Sequence, residues 1–150
     1  MSVTIKRPEE LELMREAGKI LAKVHEQLGN ELRPGMSTYE IDRIGEEMIR
    51  SFGCEPSFKN YCGYPASVCV SIDEEVVHGI PSKEKFIQEG DIVSLDIGVI
   101  HKDPARPRIQ NFLHNCRLLR ISHRDVFLQL HISYLQKSSV LCARSKALLL

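Results

Sequence analysis

The chain has 150 residues, of which 43% are hydrophobic and 27% charged. This composition excludes a wholly disordered protein and fits one ordinary domain or a fragment of a larger one. The formal net charge is zero, but residues 1–100 contain 11 basic and 18 acidic side chains, whereas residues 101–150 contain 9 and 2. All 14 glutamates and all 9 glycines precede residue 100, so we interpret the two parts separately.

The sequence also bears on the cellular compartment. It contains no apolar run of the ~18 residues that a membrane-spanning helix needs, and its first 16 residues are too charged for a secretory signal. Its five cysteines include no Cys-x-x-Cys pair, which argues against a disulfide framework or a zinc ribbon. We therefore expect a cytoplasmic protein with free thiols and no membrane span.

Two helices are predicted at the start of the chain. Pro8 fits a first helical position, and apolar residues then recur at helical spacing as far as Leu28. After a turn at residues 33–36, Ser37 begins a sequence with capping-box spacing. The second amphipathic pattern continues to Phe52 and stops at Gly53. We assign both helices a structural role.

Strands are predicted in the middle of the chain. Residues 68–72 alternate with the period of a strand, Val76-Val77 predicts a second short strand, and residues 92–100 form the most apolar run of the first part. Helices followed by strands indicate an α+β fold, with the helices on one face of a largely antiparallel sheet.

Asp96 is the first candidate for chemistry. It lies inside the apolar run, and strand alternation places it on the face opposite Leu95 and Ile97. A buried carboxylate without a partner is costly, so we expect a cation beside it. A metal ion is one interpretation; an arginine partner or an exposed strand edge is the other.

Four more side chains are candidates for a site. His78 follows Val-Val and precedes Gly-Ile-Pro, where an imidazole can donate a hydrogen bond to a substrate carbonyl or be satisfied by the backbone. Tyr61, Tyr64 and Cys69 either line an apolar pocket or fill the core.

Several stretches of residues 2–100 resemble the type I methionine aminopeptidases, which are creatinase-like peptidases of family M24. The most specific combination is Val-His-Gly-Ile-Pro at residues 77–81 followed by Gly-Asp-Ile-Val-Ser-Leu-Asp at residues 90–96. The loop and strand at residues 56–76, the opening at residues 5–18 and the turn at residues 33–38 are similar to the same family. The resemblance ends at Ile100 and covers an N-terminal half only.

The resemblance implies a fold and an activity. The fold is the pita-bread architecture, an α+β domain of two similar halves around a pseudo-twofold axis. The activity is removal of the initiator methionine from nascent chains, which implies nascent peptide N-termini as partners and proximity to the ribosome. Two divalent ions, variously cobalt, manganese, iron or zinc, bind between the halves through two Asp, one His and two Glu, and activate a water molecule.

The resemblance also implies roles for individual residues. Asp96 matches the first metal-binding aspartate, and His78 matches the catalytic histidine that contacts the substrate near the scissile peptide. Tyr61, Tyr64 and Cys69 match the pocket for the methionine side chain.

Beyond Ile100 the family pattern ends. Pro107 stands 11 residues after Asp96, where the family has its second metal-binding aspartate, and Asp103 is too early in register; the tail contains no glutamate. Since at most one of five metal ligands is retained, we expect this chain to lack the metal pair and to be inactive alone. A half domain also exposes the surface meant for its partner half, so we expect self-association.

Residues 101–150 form an atypical basic tail. Its lack of glycine and glutamate and its 10 leucines in 50 residues predict an out-of-frame product, or a disordered segment. Alternatively, residues 127–135 form an amphipathic helix or strand that covers the sheet. The tail's histidines and cysteines are a weaker zinc candidate: His114, Cys116, His123, His131 and Cys142.

A second function hypothesis assigns the chain no catalysis at all. In it, the chain is a non-catalytic creatinase-fold scaffold, and its basic tail binds RNA, the ribosome, an acidic membrane surface or another partner.

Overall fold

A computed structural model of the chain describes residues 5–102, 110–121 and 127–134, with side chains for residues 5–101 and 119–121. Within these ranges two α-helices precede five strands, and helices before strands is the order that the sequence predicts. The elements are α1 (Pro8–Glu31), α2 (Thr38–Ser51), β1 (Glu55–Pro56), β2 (Val68–Ile72), β3 (Ile92–Lys102), β4 (Gln110–Arg120) and β5 (Phe127–Tyr134). Neither of the two helices has the length and hydropathy to cross a membrane.

The strands form one antiparallel sheet with β3 at its centre. On one side β3 pairs with β2, from Val68↔Ile97 to Ile72↔Val93, and with the short β1. On the other side it pairs with β4 along its whole length, and β4 pairs with β5. The central position of β3 fits its sequence, because a strand flanked on both sides and covered by helices needs a continuous apolar run.

Both helices cover one face of this sheet. Leu95, Ile97 and Val99 of β3 alternate toward that face and are fully buried. The apolar stripe of α1, which includes Leu21 and Leu28, belongs to the same cluster of buried side chains. Burying a side chain of this size contributes roughly 1.5–3 kcal/mol, so the helix-covered face is the main source of stability, and the predicted α+β arrangement is confirmed.

The second helix begins and packs as its sequence indicates. The Ser37 hydroxyl accepts a hydrogen bond from the Glu40 N–H at 3.1 Å, which satisfies one of the free donors at the helix start. Farther along, Gly45 lies directly over β2, since a Cβ there would stand 2.6 Å from a methyl carbon of Val68. The helix therefore packs closer to the sheet at Gly45 than a residue with a side chain would allow.

The prediction of a short strand at Val76-Val77 is wrong. No strand is assigned between β2 and β3, and Val76 and Val77 are 87% and 57% exposed. Two β-branched residues favour a strand only where a neighbouring strand accepts them. Here the residue that pairs with β2 is Gly79, whose carbonyl accepts the Val70 N–H at 3.0 Å.

Two segments of the basic tail are strands of the sheet. The central strand β3 runs past Ile100 to Lys102, and β4 and β5 follow. For residues 127–134 the alternative of helix or strand is therefore resolved in favour of a strand. The side chains of Leu119 and Ile121 are buried. The remaining predictions for the tail concern positions outside the described residues, namely Asp103, Pro107, His123, Leu135 and Cys142.

Candidate active site

Asp96 lies at the middle of the central strand, on the face away from the helices. Its neighbours Leu95 and Ile97 are fully buried on the helix-covered face, whereas Asp96 is half-buried. The register places Cys69 of β2 directly opposite Asp96 on one side and Cys116 of β4 opposite it on the other. The carboxylate therefore lies between β2 and β4 on the sheet face that alternation predicts for it.

Tyr64 connects this part of the sheet to the loop before β2. The loop contains a 3₁₀ turn at Tyr61–Gly63, and the ring of Phe58 meets that of Tyr64 edge to face with centroids 6.4 Å apart. Burial raises the pKa of the Tyr64 phenol, and the nearby groups Cys69, Asp42 and Asp96 act in the same direction. The phenol therefore stays protonated and is a hydrogen-bond donor.

The structure brings together three of the five predicted site residues. Tyr64 interacts with Cys69 and lies near Asp96, and Cys69 is buried opposite that aspartate. Tyr61 is half-buried at the start of the 3₁₀ turn on the same loop. Both of the alternatives drawn from the sequence, an apolar pocket and ordinary core filling, include contacts of this kind.

His78 lies in the loop that follows β2 and is linked to Tyr64 through one residue. Its backbone φ is +59°, a left-handed conformation that is uncommon for a residue with a side chain. The next residue, Gly79, accepts a hydrogen bond from the Tyr64 hydroxyl at 3.1 Å. His78 is half-buried, so its imidazole is within reach of solvent or of a ligand.

An acidic pair on α2 holds the start of β2 and went unnoticed at the level of sequence. One carboxylate oxygen of Asp42 accepts the backbone N–H groups of Ser67 and Val68, both at 2.8 Å. Glu46 accepts hydrogen bonds from the Ser67 hydroxyl at 2.9 Å and from Lys59 at 2.6 Å. The spacing of four residues indicates that Asp42 and Glu46 lie on the same face of the helix, but it does not show that they bind the start of β2.

The pKa values of the pair shift in opposite directions. Burial raises the pKa of Asp42, and its two backbone hydrogen bonds only partly offset that cost. Burial acts the same way on Glu46, but hydrogen bonds from Lys59, Ser67 and Arg50 outweigh it and lower the pKa of Glu46 to about 2. The pair therefore fixes the chain at the entry to β2, two residues before Cys69.

The described side chains do not fit a dinuclear metal centre. In residues 5–101 and 119–121, no three His, Cys, Asp or Glu side chains lie close enough together to hold one ion. Two bridged ions need several carboxylate and imidazole ligands, and Asp96 supplies one carboxylate.

Three known proteins illustrate what this chain is similar to. It is 48% identical over 98 residues to the methionine aminopeptidase of Clostridium acetobutylicum, an alignment that covers 65% of this chain and 39% of that protein. It is 40% identical over 138 residues to the methionine aminopeptidase of Clostridium perfringens, covering 88% of this chain and 55% of that protein. The crystal structure of the Thermotoga maritima methionine aminopeptidase matches with a TM-score of 0.70 and 32% identity, over 83% of this chain and 47% of that one.

These matches define both the likeness and its extent. The chain spans between 38% and 55% of the length of the first curated relatives that it matches. The solved structures share the pita-bread fold, so the architecture expected from the resemblance is confirmed. The model of metallopeptidase family M24 matches residues 12–105, which include α2, β1, β2, most of α1 and all of β3. On this evidence of sequence and fold together, the chain belongs to metallopeptidase family M24.

Proposed function

We propose that residues 1–100 are the N-terminal half of a methionine aminopeptidase, a cytoplasmic metal-dependent hydrolase that removes the initiator methionine from nascent proteins, and that the 150-residue chain is inactive alone. The observation that carries this proposal is the position of Asp96 on the central strand, with Cys69 opposite it and Tyr64 against both. Relatives named methionine aminopeptidase support the assignment.

Each site residue has a role in this proposal. Asp96 is a metal ligand, and Tyr61, Tyr64 and Cys69 line the recess for the methionine side chain. His78 is the catalytic residue that donates a hydrogen bond to the substrate near the scissile peptide. The half-exposed position of His78 next to the Tyr64–Gly79 hydrogen bond supports this role.

The proposed inactivity rests on the ligands that surround Asp96. The intact peptidase would use two divalent ions, of cobalt, manganese, iron or zinc, to activate water. A single carboxylate does not hold such a pair, and the described side chains offer no group of three donors.

A chimeric protein tests the proposal. Residues 1–100 are joined in frame to the part of the Clostridium acetobutylicum enzyme that follows its aligned region, and release of methionine from a Met-Ala-Ser peptide is measured with Mn²⁺ or Co²⁺. We expect hydrolysis by the chimera, none by the 150-residue chain, and a return to background for the chimera with Asp96→Asn.

Two results would overturn parts of this proposal. Hydrolysis by the purified 150-residue chain, lost with Asp96→Asn, would disprove the inactivity. A chimera with the circular dichroism of a folded protein but without hydrolysis would disprove the assignment of residues 1–100 as a competent half.

For residues 101–150 we propose an out-of-frame origin. The composition of the tail supports it, and so does the register of β4: the positions that pair with the buried Leu95 and Ile97 are Arg117 and Asn115. A strand selected to lie beside this core would have apolar residues there. The alignment with the Clostridium perfringens protein, which reaches into the tail, is the observation that weighs against it.

Sequencing of the coding region decides between this origin and the scaffold alternative. A downstream sequence that encodes the rest of the family in another frame would establish the out-of-frame origin. An uninterrupted frame with no such sequence would disprove it, and would favour a scaffold whose basic tail, with 9 basic and 2 acidic residues, binds RNA or the ribosome in a salt-sensitive way.

We also propose that copies of this chain associate with one another. Large apolar side chains are exposed between β2 and β3, including Val76, Val77, Ile80 and Phe86. Exposed apolar surface of this kind favours association between copies when a partner half is missing. Size-exclusion chromatography at several concentrations tests this, and a monomer at all of them would contradict it.

A further inference from the structure

We propose that the Gly79 peptide is a positioning element for His78, held by the hydroxyl groups of Tyr64 and Ser71. The significance of His78 rests on the function proposed above, but the positioning itself does not. Tyr64 thereby acquires a second role besides lining the recess, and Ser71 becomes a positioning residue that contacts no substrate.

The polar groups of Gly79 are occupied from three directions. Its N–H donates to the Ser71 hydroxyl at 3.1 Å. Its carbonyl accepts the Tyr64 hydroxyl at 3.1 Å and the Val70 N–H at 3.0 Å. Gly79 and Ser71 are both buried, so these bonds are shielded from water, and the loss of one partner leaves a buried polar group unsatisfied.

Only glycine fits at this position. A Cβ on Gly79 would stand 2.1 Å from the Val70 carbonyl oxygen and 2.6 Å from its carbon. Because those atoms belong to the backbone of β2, no side-chain movement relieves the contact. The requirement for glycine therefore comes from the close approach of two chain segments, and that approach fixes Gly79 relative to the sheet.

The conformation of His78 depends on the Gly79 peptide because the other residues next to it in sequence are exposed. A left-handed φ of +59° is unfavourable for a residue with a Cβ, so neighbouring structure must hold it there. Val77 on one side is 57% exposed, and Ile80 just beyond Gly79 is 46% exposed. The buried Gly79 peptide is thus the rigid support that is adjacent in sequence.

The two hydroxyl groups contribute differently. Ser71 is an acceptor on the strand itself, one residue after Val70. Tyr64 reaches Gly79 from the preceding loop, and its hydroxyl also lies 3.4 Å from the Val68 carbonyl. Tyr64 therefore couples the recess beside Asp96 to the loop that carries His78.

Nuclear magnetic resonance of the isotope-labelled 150-residue chain tests the proposal without any need for activity. We expect Ser71→Ala and Tyr64→Phe each to shift the imidazole signal of His78 toward its random-coil position and to accelerate amide exchange of Gly79 about tenfold. Ser71→Thr, which keeps the hydroxyl, restores both. Tyr39→Phe, on an exposed tyrosine of α2, and Ser51→Ala, at the exposed end of that helix, are the matched controls.

The amides of β3 report on global folding in the same spectra. An unchanged His78 signal in both variants, with Gly79 exchange accelerated, would overturn the proposal. So would loss of protection throughout β3 in both variants, because the hydroxyls would then support the fold rather than His78. Failure of the peptidase assay leaves these signals unaffected, so the two proposals fail separately.

Discussion

The two faces of the central strand differ in what determines them. On the helix-covered face, Leu95, Ile97 and Val99 are fully buried against apolar side chains. On the other face, Asp96 lies in a row with Cys69 and next to the phenol of Tyr64. One face is held together by apolar packing, and the other by hydrogen bonds from two loops.

This difference separates stability from chemistry. The apolar face contributes most of the burial free energy, since that term grows with the apolar area removed from water. The polar face keeps a carboxylate and a phenol half-buried and close together, which apolar packing alone does not require. Substitutions on the two faces should therefore have separable effects, and this makes the comparison testable.

The largest change in the free energy of unfolding is expected on the apolar face, at Leu95, and a much smaller change at its neighbour Asp96 on the polar face. Leu95→Ala should reduce the free energy of unfolding by about 2–5 kcal/mol, because it leaves a cavity in the core. Asp96→Asn keeps the volume and should change it by less than about 1 kcal/mol. Urea unfolding followed by circular dichroism measures both, and an equal loss in the two variants would make Asp96 a structural residue.

The apolar face could be predicted from the sequence because it is periodic. Apolar residues of α1 that recur at helical spacing, such as Leu21 and Leu28, are buried, whereas Leu11 near the start of the same pattern is 42% exposed. The alternation in residues 92–100 likewise predicts which side chains of β3 face the helices. Ile92, which is 51% exposed, fits the same alternation, because it shares the face of Asp96 rather than the face of Leu95.

The polar face could be predicted only where the family resemblance names a residue. Nothing in the spacing of Tyr64 or Ser71 shows that their hydroxyls meet at Gly79, because that contact joins segments 8 and 15 residues apart. Val76-Val77 misled the prediction of a strand for a related reason: pairing with β2 depends on a close approach that only Gly79 permits. Contacts between loops follow from the folded geometry and leave no periodic signal.

Substitutions of Asp42 test how a partly buried carboxylate contributes to stability at the start of β2. Asp42→Ala should cost about 1–3 kcal/mol, because it leaves the N–H groups of Ser67 and Val68 without their acceptor. Asp42→Asn keeps an oxygen at that place and removes a charge whose burial is unfavourable, so we expect no loss at pH 7.

The pH dependence of Asp42 supplies a second measurement. Its pKa is raised in the folded state, so the ionised carboxylate lowers stability above that pKa. The cost disappears as the pH falls below the unfolded value of about 4. The stability of wild type relative to Asp42→Asn should therefore increase as the pH is lowered from 7 to 4. A lower free energy of unfolding for the asparagine variant at pH 7 would show that the charge itself stabilises the entry to β2.

The ionised carboxylate of Glu46 is expected to make the smallest contribution to stability. It stabilises the folded state, whereas the ionised carboxylate of Asp42 destabilises it. The pKa of Glu46 is lowered from 4.5 to about 2, so the folded state favours the ionised form, and the resulting stability is fully present above pH 4.5 and lost as the pH falls toward 2. Since Lys59 and Arg50 are partly exposed to solvent, we expect a contribution of about 1–2 kcal/mol rather than the full shift.

Matched variants isolate this contribution from the other carboxylates of the chain. The difference in unfolding free energy between wild type and Glu46→Gln should be largest at pH 7 and shrink between pH 4.5 and 3. Glu47→Gln, on an exposed neighbour paired with Arg43, should show a smaller difference that salt removes. A Glu46 difference that is independent of pH would mean that the glutamate acts on β2 through packing, and the border between the two faces would then be apolar rather than ionic.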